Sequence, residues 1–206
     1  MIDPTSAIRP DLQIVADWIA PGTRVLDIGC GFGALLDYLV REKNVDGRGI
    51  EIRRAKVNHC VAAGLSVIRG DANRDLSLYP TDSFDYVVLT QTLQTVEQPR
   101  AVLEELMRIG NRVIVSIPNF GHWRIRLSLL LNGRMPITEA LNQPWYETRN
   151  IHFCTIRDFL DLVEIVGLNI ERAVVLNAKG KPSPDPVTSR RANIFGEQAV
   201  FMLQRR

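Results

Sequence analysis

Residues Arg24 to Leu36 read RVLDIGCGFGALL, an apolar run that closes on an acid and then places three glycines within five residues. Such a turn, between a strand and a helix, brings the backbone close to a nucleotide. Gly29-Cys30-Gly31-Phe32-Gly33-Ala34 satisfies the dinucleotide fingerprint G-x-G-x-x-G/A. Asp27 to Gly33 equally satisfies the D-x-G-x-G-x-G turn of proteins that hold S-adenosylmethionine. Asp27 separates the two. A carboxylate directly beneath a pyrophosphate repels it, whereas the ammonium of a methionine moiety is attracted.

The residues around this turn predict an α/β chain: a seven-stranded, mostly parallel sheet with helices on both faces, Rossmann-like, with the last strand antiparallel. Short β-branched runs alternate with amphipathic stretches, the signature of a parallel sheet covered on both sides. Strands are expected at 24–28, 47–52, 65–69, 84–90 and 112–118, then at 168–176 and 196–203 after a long connection. Pro10 suits a first helical position, and Leu12, Val15, Ala16 and Ile19 follow at helical spacing. One domain over 1–206 is the economical reading of the length. It carries an insert helix and loop at about 120–150 and a mobile loop at about 177–191, where NAKGKPSPDPVTSRR holds three prolines.

Composition narrows the classes. The chain has 46% apolar and 23% charged residues, as an ordinary globular protein does. Its start has neither a basic end nor an apolar core, so no signal peptide is expected, and no run approaches the ~20 residues that span a bilayer. The cytoplasm is the expected compartment, without a membrane partner. Cys30, Cys60 and Cys154 are widely spaced and odd in number, which suits reduced thiols, and no metal site is expected. A net charge of +2 does not announce a nucleic acid. Between Leu106 and Thr138, however, five arginines stand with no acid.

Ligands of open parallel sheets lie beyond the carboxyl ends of the strands. Four features fall there in register: Asp27 with Gly29, Cys30, Gly31 and Gly33; Glu51 with Ile52; Asp71 with Ala72; and Thr90 with Gln91. Glu51, about 20 residues past the turn, suits ribose hydroxyls. Asp71 suits the exocyclic amine of an adenine, with the amide of Ala72 beside it, and Thr90 and Gln91 suit the ribose and methionine arm. S-adenosylmethionine (or S-adenosylhomocysteine) is therefore the expected cofactor, ahead of NAD.

With these residues the sequence resembles the class I S-adenosylmethionine-dependent methyltransferases and, more closely, the methionine-biosynthesis protein MetW family. The likeness covers nearly the whole chain, from RPDLQIVADWI through VLDIGCGFGALL, GRGIEI, SFDYVVLTQTLQ and VSIPNFGHWRIRLSLLLNGRMP to NIHFCTIRDF and NIFGEQAVF. It implies a methyltransferase fold and a role in making methionine, in company with homoserine O-acyltransferase. Members commonly carry an acid where Phe32 stands here.

A methyl-transfer reaction needs an aligned nucleophile and, for many acceptors, a base. The [D/N/S]-P-P-[Y/F/W] motif of amino-methylating enzymes is absent after the fourth strand, where TQTLQT stands. His122, His152 and Tyr146 are the candidates for acid–base work. A hydrogen-bonded structural role is the simpler reading of His122, and Tyr146 with Trp145 reads equally as a lid or as packing. His59, in a polar helical stretch, reads as solvated. Trp123, Leu127, Leu130 and Leu131, with Arg124 and Arg126 between, read either as a helix lying on the sheet or as a partner surface. Two functions follow: an S-adenosylmethionine-binding protein that acts with or regulates homoserine O-acyltransferase, or an active methyltransferase on a small-molecule or protein acceptor.

Overall fold

The computed structural model describes residues 8–137, 144, 146–147 and 151–206. The strands are β1 (Arg24–Ile28), β2 (Asp46–Glu51), β3 (Ser66–Arg69), β4 (Phe84–Thr90), β5 (Gly110–Pro118), β6 (Leu168–Leu176) and β7 (Gln198–Arg205). The helices are α1 (Pro10–Trp18), α2 (Ala34–Lys43), α3 (Arg54–Ala62), α4 (Pro99–Ile109), α5 (Trp123–Asn132), α6 (Ile156–Val166) and α7 (Arg190–Phe195). The strands form one sheet in the order β3-β2-β1-β4-β5-β7-β6. Each neighbouring pair from β3 to β5 is parallel, and β7 runs antiparallel to both β5 and β6. The order turns round between β1 and β4, which is where a doubly wound sheet opens a crevice for a ligand.

Strand alternation divides the core into two faces. Leu26 and Ile28 join Leu89, Val113, Val115 and Phe201 on the face covered by α4 and α6. Val25, Val88, Ile114 and Val200 pack on the opposite face against Leu12, Val15 and Ala16 of α1 and Leu35 and Leu39 of α2. Asp27 shares the parity of Val25 and so emerges at the α1–α2 face, at the end of β1. The carbonyls that close α1 are not left bare: the Lys43 ammonium donates to the oxygens of Ala16 and Ile19. This contact latches α1 onto the end of α2. Helix α6 begins on a reciprocal cap, with Asp158 N donating to Thr155 Oγ1 and Thr155 N to Asp158 Oδ2.

Where the sequence suggests only loop, the structure adds short elements. Leu76–Leu78 and Leu93–Thr95 are single 3-10 turns, and α7 starts within the proline-bearing segment. Earlier in that segment, Asn177 Oδ1 accepts from the amides of Lys179 and Lys181, and Pro182 bridges to Leu176.

Gly33 makes the turn into α2 possible. Its φ of +80° is left-handed, and an added Cβ would stand 2.5 Å from Leu65 and 3.0 Å from the Cys60 sulfur. Gly33→Ala should therefore cost about 2–4 kcal/mol, combining the left-handed penalty with overpacking. Gly22→Ala has a similar φ but nothing within 4 Å and should cost about 1 kcal/mol. Urea unfolding of both variants checks this; equal midpoints would contradict it.

Candidate functional site

A cleft of about 760 Å³ opens at the carboxyl ends of β1, β2, β3 and β4. Asp27, Gly29, Cys30, Gly31, Glu51, Ile52, Asp71, Ala72, Thr90 and Gln91 all line it. Of the residues expected from the glycine turn, only Gly33 lies behind the wall; it turns the chain rather than facing the space. Its size matches the clefts that enclose drug-sized ligands.

Asp27 is 1% exposed, and its Oδ1 has no hydrogen-bond partner. Burial pushes its carboxyl up to about 7, and Glu51 adds to this while Arg9 opposes it. An acid held in this way is short of a cationic or hydrogen-bond-donating neighbour. Glu51 is also buried, but its oxygens are used. Oε2 accepts from Gly31 N at 3.0 Å and Oε1 from Arg53 N at 2.8 Å, with the Lys56 ammonium 3.9 Å from Oε2. Each carboxylate oxygen accepts more than one bond. Glu51 can thus hold the glycine turn against the start of α3 and still receive hydroxyl groups from a ligand.

Asp71 is tied into its own turn, Oδ1 accepting from both nitrogens of Asn73 at 2.9 Å, while its amide donates to Asp75 Oδ2. Gln91 has a left-handed backbone, φ 51°, uncommon outside glycine. Ser116 accepts its amide through both the carbonyl and the hydroxyl, and its side-chain amide donates to Gln198 Oε1 at 2.6 Å. These bonds to β5 and β7 hold the conformation that turns Gln91 into the cleft.

Phe32, 58% exposed, overhangs the cleft rather than joining the core. His59 stands edge-on to it with ring centroids 5.3 Å apart, and the Lys56 ammonium is 5.2 Å from its ring centre. His59 is half-buried by this contact, which corrects the expectation of a solvated side chain. Arg9, Tyr38 and Lys56 also line the cleft and were missed in the sequence reading. The available signals were position: Arg9 directly precedes the helix-starting Pro10, and Lys56 follows Glu51 within the first turn of α3.

The three candidate acid–base residues do not line the cleft. His122 caps α5: its Nδ1 accepts from Arg124 N, and burial together with Arg124 lowers its tendency to protonate. His152 is exposed and its backbone amide donates to Gln94 O. Tyr146 is exposed. Trp145 lies outside the described residues. Burial raises the thiol of Cys30, which turns its sulfur towards Gly49 of β2, away from thiolate chemistry.

The sheet order, the glycine turn and the cleft define a class I methyltransferase fold of Rossmann-like form. A structure of Thermotoga maritima described as a SAM-dependent methyltransferase, possible histamine N-methyltransferase, superposes with a TM-score of 0.66 at 19% identity, covering 96% of this chain and 88% of that one. A complex of the Haloferax volcanii Trm112 methyltransferase activator with a putative methyltransferase gives 0.67 at 15% identity, covering 95% and 88%. The model of the methionine biosynthesis protein MetW family matches residues 9–203, and the chain belongs to that family. The bifunctional methionine biosynthesis protein MetXA/MetW of Rhodopirellula baltica is 30% identical over 96% of this chain and 33% of its own length. A ubiquinone biosynthesis O-methyltransferase of Hahella chejuensis is 32% identical over 44% of this chain and 40% of its own. The chain thus spans a third to somewhat over half the length of the curated relatives it matches. No helix among the described residues is long and apolar enough to cross a membrane.

Proposed function

We propose that this MetW-family protein binds S-adenosylmethionine or S-adenosylhomocysteine in the cleft and acts with homoserine O-acyltransferase in methionine biosynthesis. The observation that carries the first part is the partnerless Asp27 oxygen, buried in a cleft that also presents Glu51 and Asp71. The residues fit the group. The ammonium of the methionine arm answers the need of Asp27, directly or through water. Glu51 accepts from the ribose hydroxyls, Asp71 and the Ala72 amide face the adenine edge, and Ile52, exposed on the wall, gives the adenine an apolar contact. Gly29, Cys30, Gly31, Thr90 and Gln91 border the methionine arm. A dinucleotide would place its pyrophosphate against the buried carboxyl of Asp27, which disfavours it.

The partnership is supported by the relative whose name joins MetXA to MetW in one chain. In this reading the ligand informs the acyltransferase of the supply of the pathway's distal product. The alternative, methyl transfer to a small molecule or protein, needs for many acceptors an aligned base, and His122, His152 and Tyr146 all stand off the cleft. The cytoplasm is the compartment this reading assumes.

The deciding experiment is to assay homoserine O-acyltransferase with and without this protein while titrating S-adenosylmethionine. A rate that depends on both supports the reading, because a ligand held by this protein can change the acyltransferase only if the two sites share a coupling free energy. A rate indifferent to this protein at every ligand concentration overturns it.

A further inference from the structure

Helix α5 is attached to the body of the protein through Ile125 and through Arg126, whose Nε donates to Gly121 O. Ile125 is its one buried side chain, packed on Phe120 and Ile151. Trp123, Leu127, Leu130 and Leu131 recur at i, i+4, i+7 and i+8, about half a turn round the helix from Ile125. All four are exposed, Leu130 by 80% and Leu131 by 70%. The helix is therefore two-faced in the reverse of the usual sense, with its larger apolar stripe turned outward. Arg124 flanks the stripe on one side, its guanidinium 5.5 Å from the Trp123 ring, and Arg126 stands on the other, with its Nε engaged by Gly121 O and its remaining nitrogens left to face a partner. Arg134 follows beyond the helix end, and no acid occurs between Leu106 and Thr138.

We propose that this outward stripe is a docking surface for a protein that presents an apolar groove rimmed by carboxylates. The pattern is that of a helix laid into a groove, with anchors at successive turns. Arginine is the residue whose planar fork pairs two donors with a carboxylate, so the rim selects an acidic partner edge. A second copy of this chain is the poorer occupant: pairing α5 with itself would bring Arg124 and Arg126 against their equivalents with no carboxylate on either helix. The partner taken for the test, homoserine O-acyltransferase, rests on the function proposed above.

The stripe is exposed, so charge can be placed on it without disturbing a core. Co-expressed homoserine O-acyltransferase should be retained by the unaltered protein and bound at least tenfold more weakly by Leu127→Glu/Leu130→Glu. Arg124→Glu/Arg126→Glu should weaken it similarly and reverse the sign of the salt dependence, since like charges then face each other and salt screens their repulsion. Leu78→Glu, at a site 78% exposed on the turn after β3, should bind as the unaltered protein does. Thermal midpoints are to be recorded for every variant, and only those within a few degrees of the unaltered protein are compared. If the unaltered protein retains the acyltransferase and the Leu127/Leu130 variant does so equally, the surface is wrong and the partnership stands. If the unaltered protein retains none, both fall. Transfer of the stripe to anionic phosphatidylserine vesicles, or a dimer in sedimentation that the Leu127/Leu130 variant abolishes, overturns the proposal in favour of a membrane or a second copy.

Discussion

Glu51→Ala should lower the affinity for S-adenosylmethionine by one to two orders of magnitude in calorimetry. The change removes more than a ligand contact. The same carboxylate accepts from Gly31 N and Arg53 N, joining the glycine turn to the start of α3. Hydrogen bonds to a charged acceptor contribute about 1.5–3 kcal/mol, and buried amides left without a partner carry a cost of their own. The apo protein should therefore also lose about 2–3 kcal/mol of stability. Glu51→Gln, which keeps an acceptor oxygen but not the charge, should fall between. Affinity unchanged in the alanine variant would remove the cleft from consideration as a ribose site.

Asp27→Asn should act in opposite senses on the empty and the loaded protein. In the folded state the Asp27 carboxyl titrates near 7 against 3.8 for the ordinary side chain. Between about pH 4 and pH 7 the folded protein therefore keeps a proton that the unfolded chain has lost, and stability falls as pH rises through that window. Above pH 7 the full cost of the buried charge, of the order of a few kcal/mol, is present. Asparagine removes the charge. The empty variant should melt higher at pH 7.5 and its stability should no longer decline from pH 4 to 7. The ligand responds to the same proton. A cation beside Asp27 favours the ionised form, so affinity in the unaltered protein should drop by up to about tenfold per pH unit below 7 and level off above it. Asp27→Asn should bind at least tenfold more weakly at pH 8 and show a flat profile. A variant with the same melting slope and the same binding profile would show that Asp27 does not carry the charge attributed to it.

The architecture was readable because its signals are local. Strands β1, β4 and β6 fall on the expected limits, since each is a compact run of apolar and β-branched residues, with Gly29 closing β1 and Gly167 preceding β6. Asp27, Glu51 and Asp71 were readable for a related reason: each lies at or just past the end of a strand, and strand ends converge in a parallel sheet. Contacts between distant elements left no such trace. Arg9, Tyr38 and Lys56 reach the cleft because α1, α2 and α3 pack around it; Pro10 and Glu51 mark where Arg9 and Lys56 stand along the chain, but not that the helices bring them to one space. His59 reads as a surface residue until Phe32, brought alongside by the glycine turn, covers one edge of it. Helix α5 shows the limit most plainly. Its stronger apolar face ordinarily predicts contact with the sheet, yet Ile125 and the His122 cap fix the opposite orientation, so periodicity identified a face without telling which way it looked.

The place of β7 has a consequence for how the chain is made. Strands β1 to β5 can pair with one another as soon as each is synthesised, because every partner lies within the first 118 residues. β6 has a single partner, β7, and β7 also completes the edge of β5. Residues 168–176 must therefore wait, unpaired, for residues 198–205 to leave the ribosome. During that interval the free edge of β5 and both edges of β6 are available to other chains. A stalled or shortened product would keep the cleft-forming half of the sheet yet expose the edges on which aggregation begins.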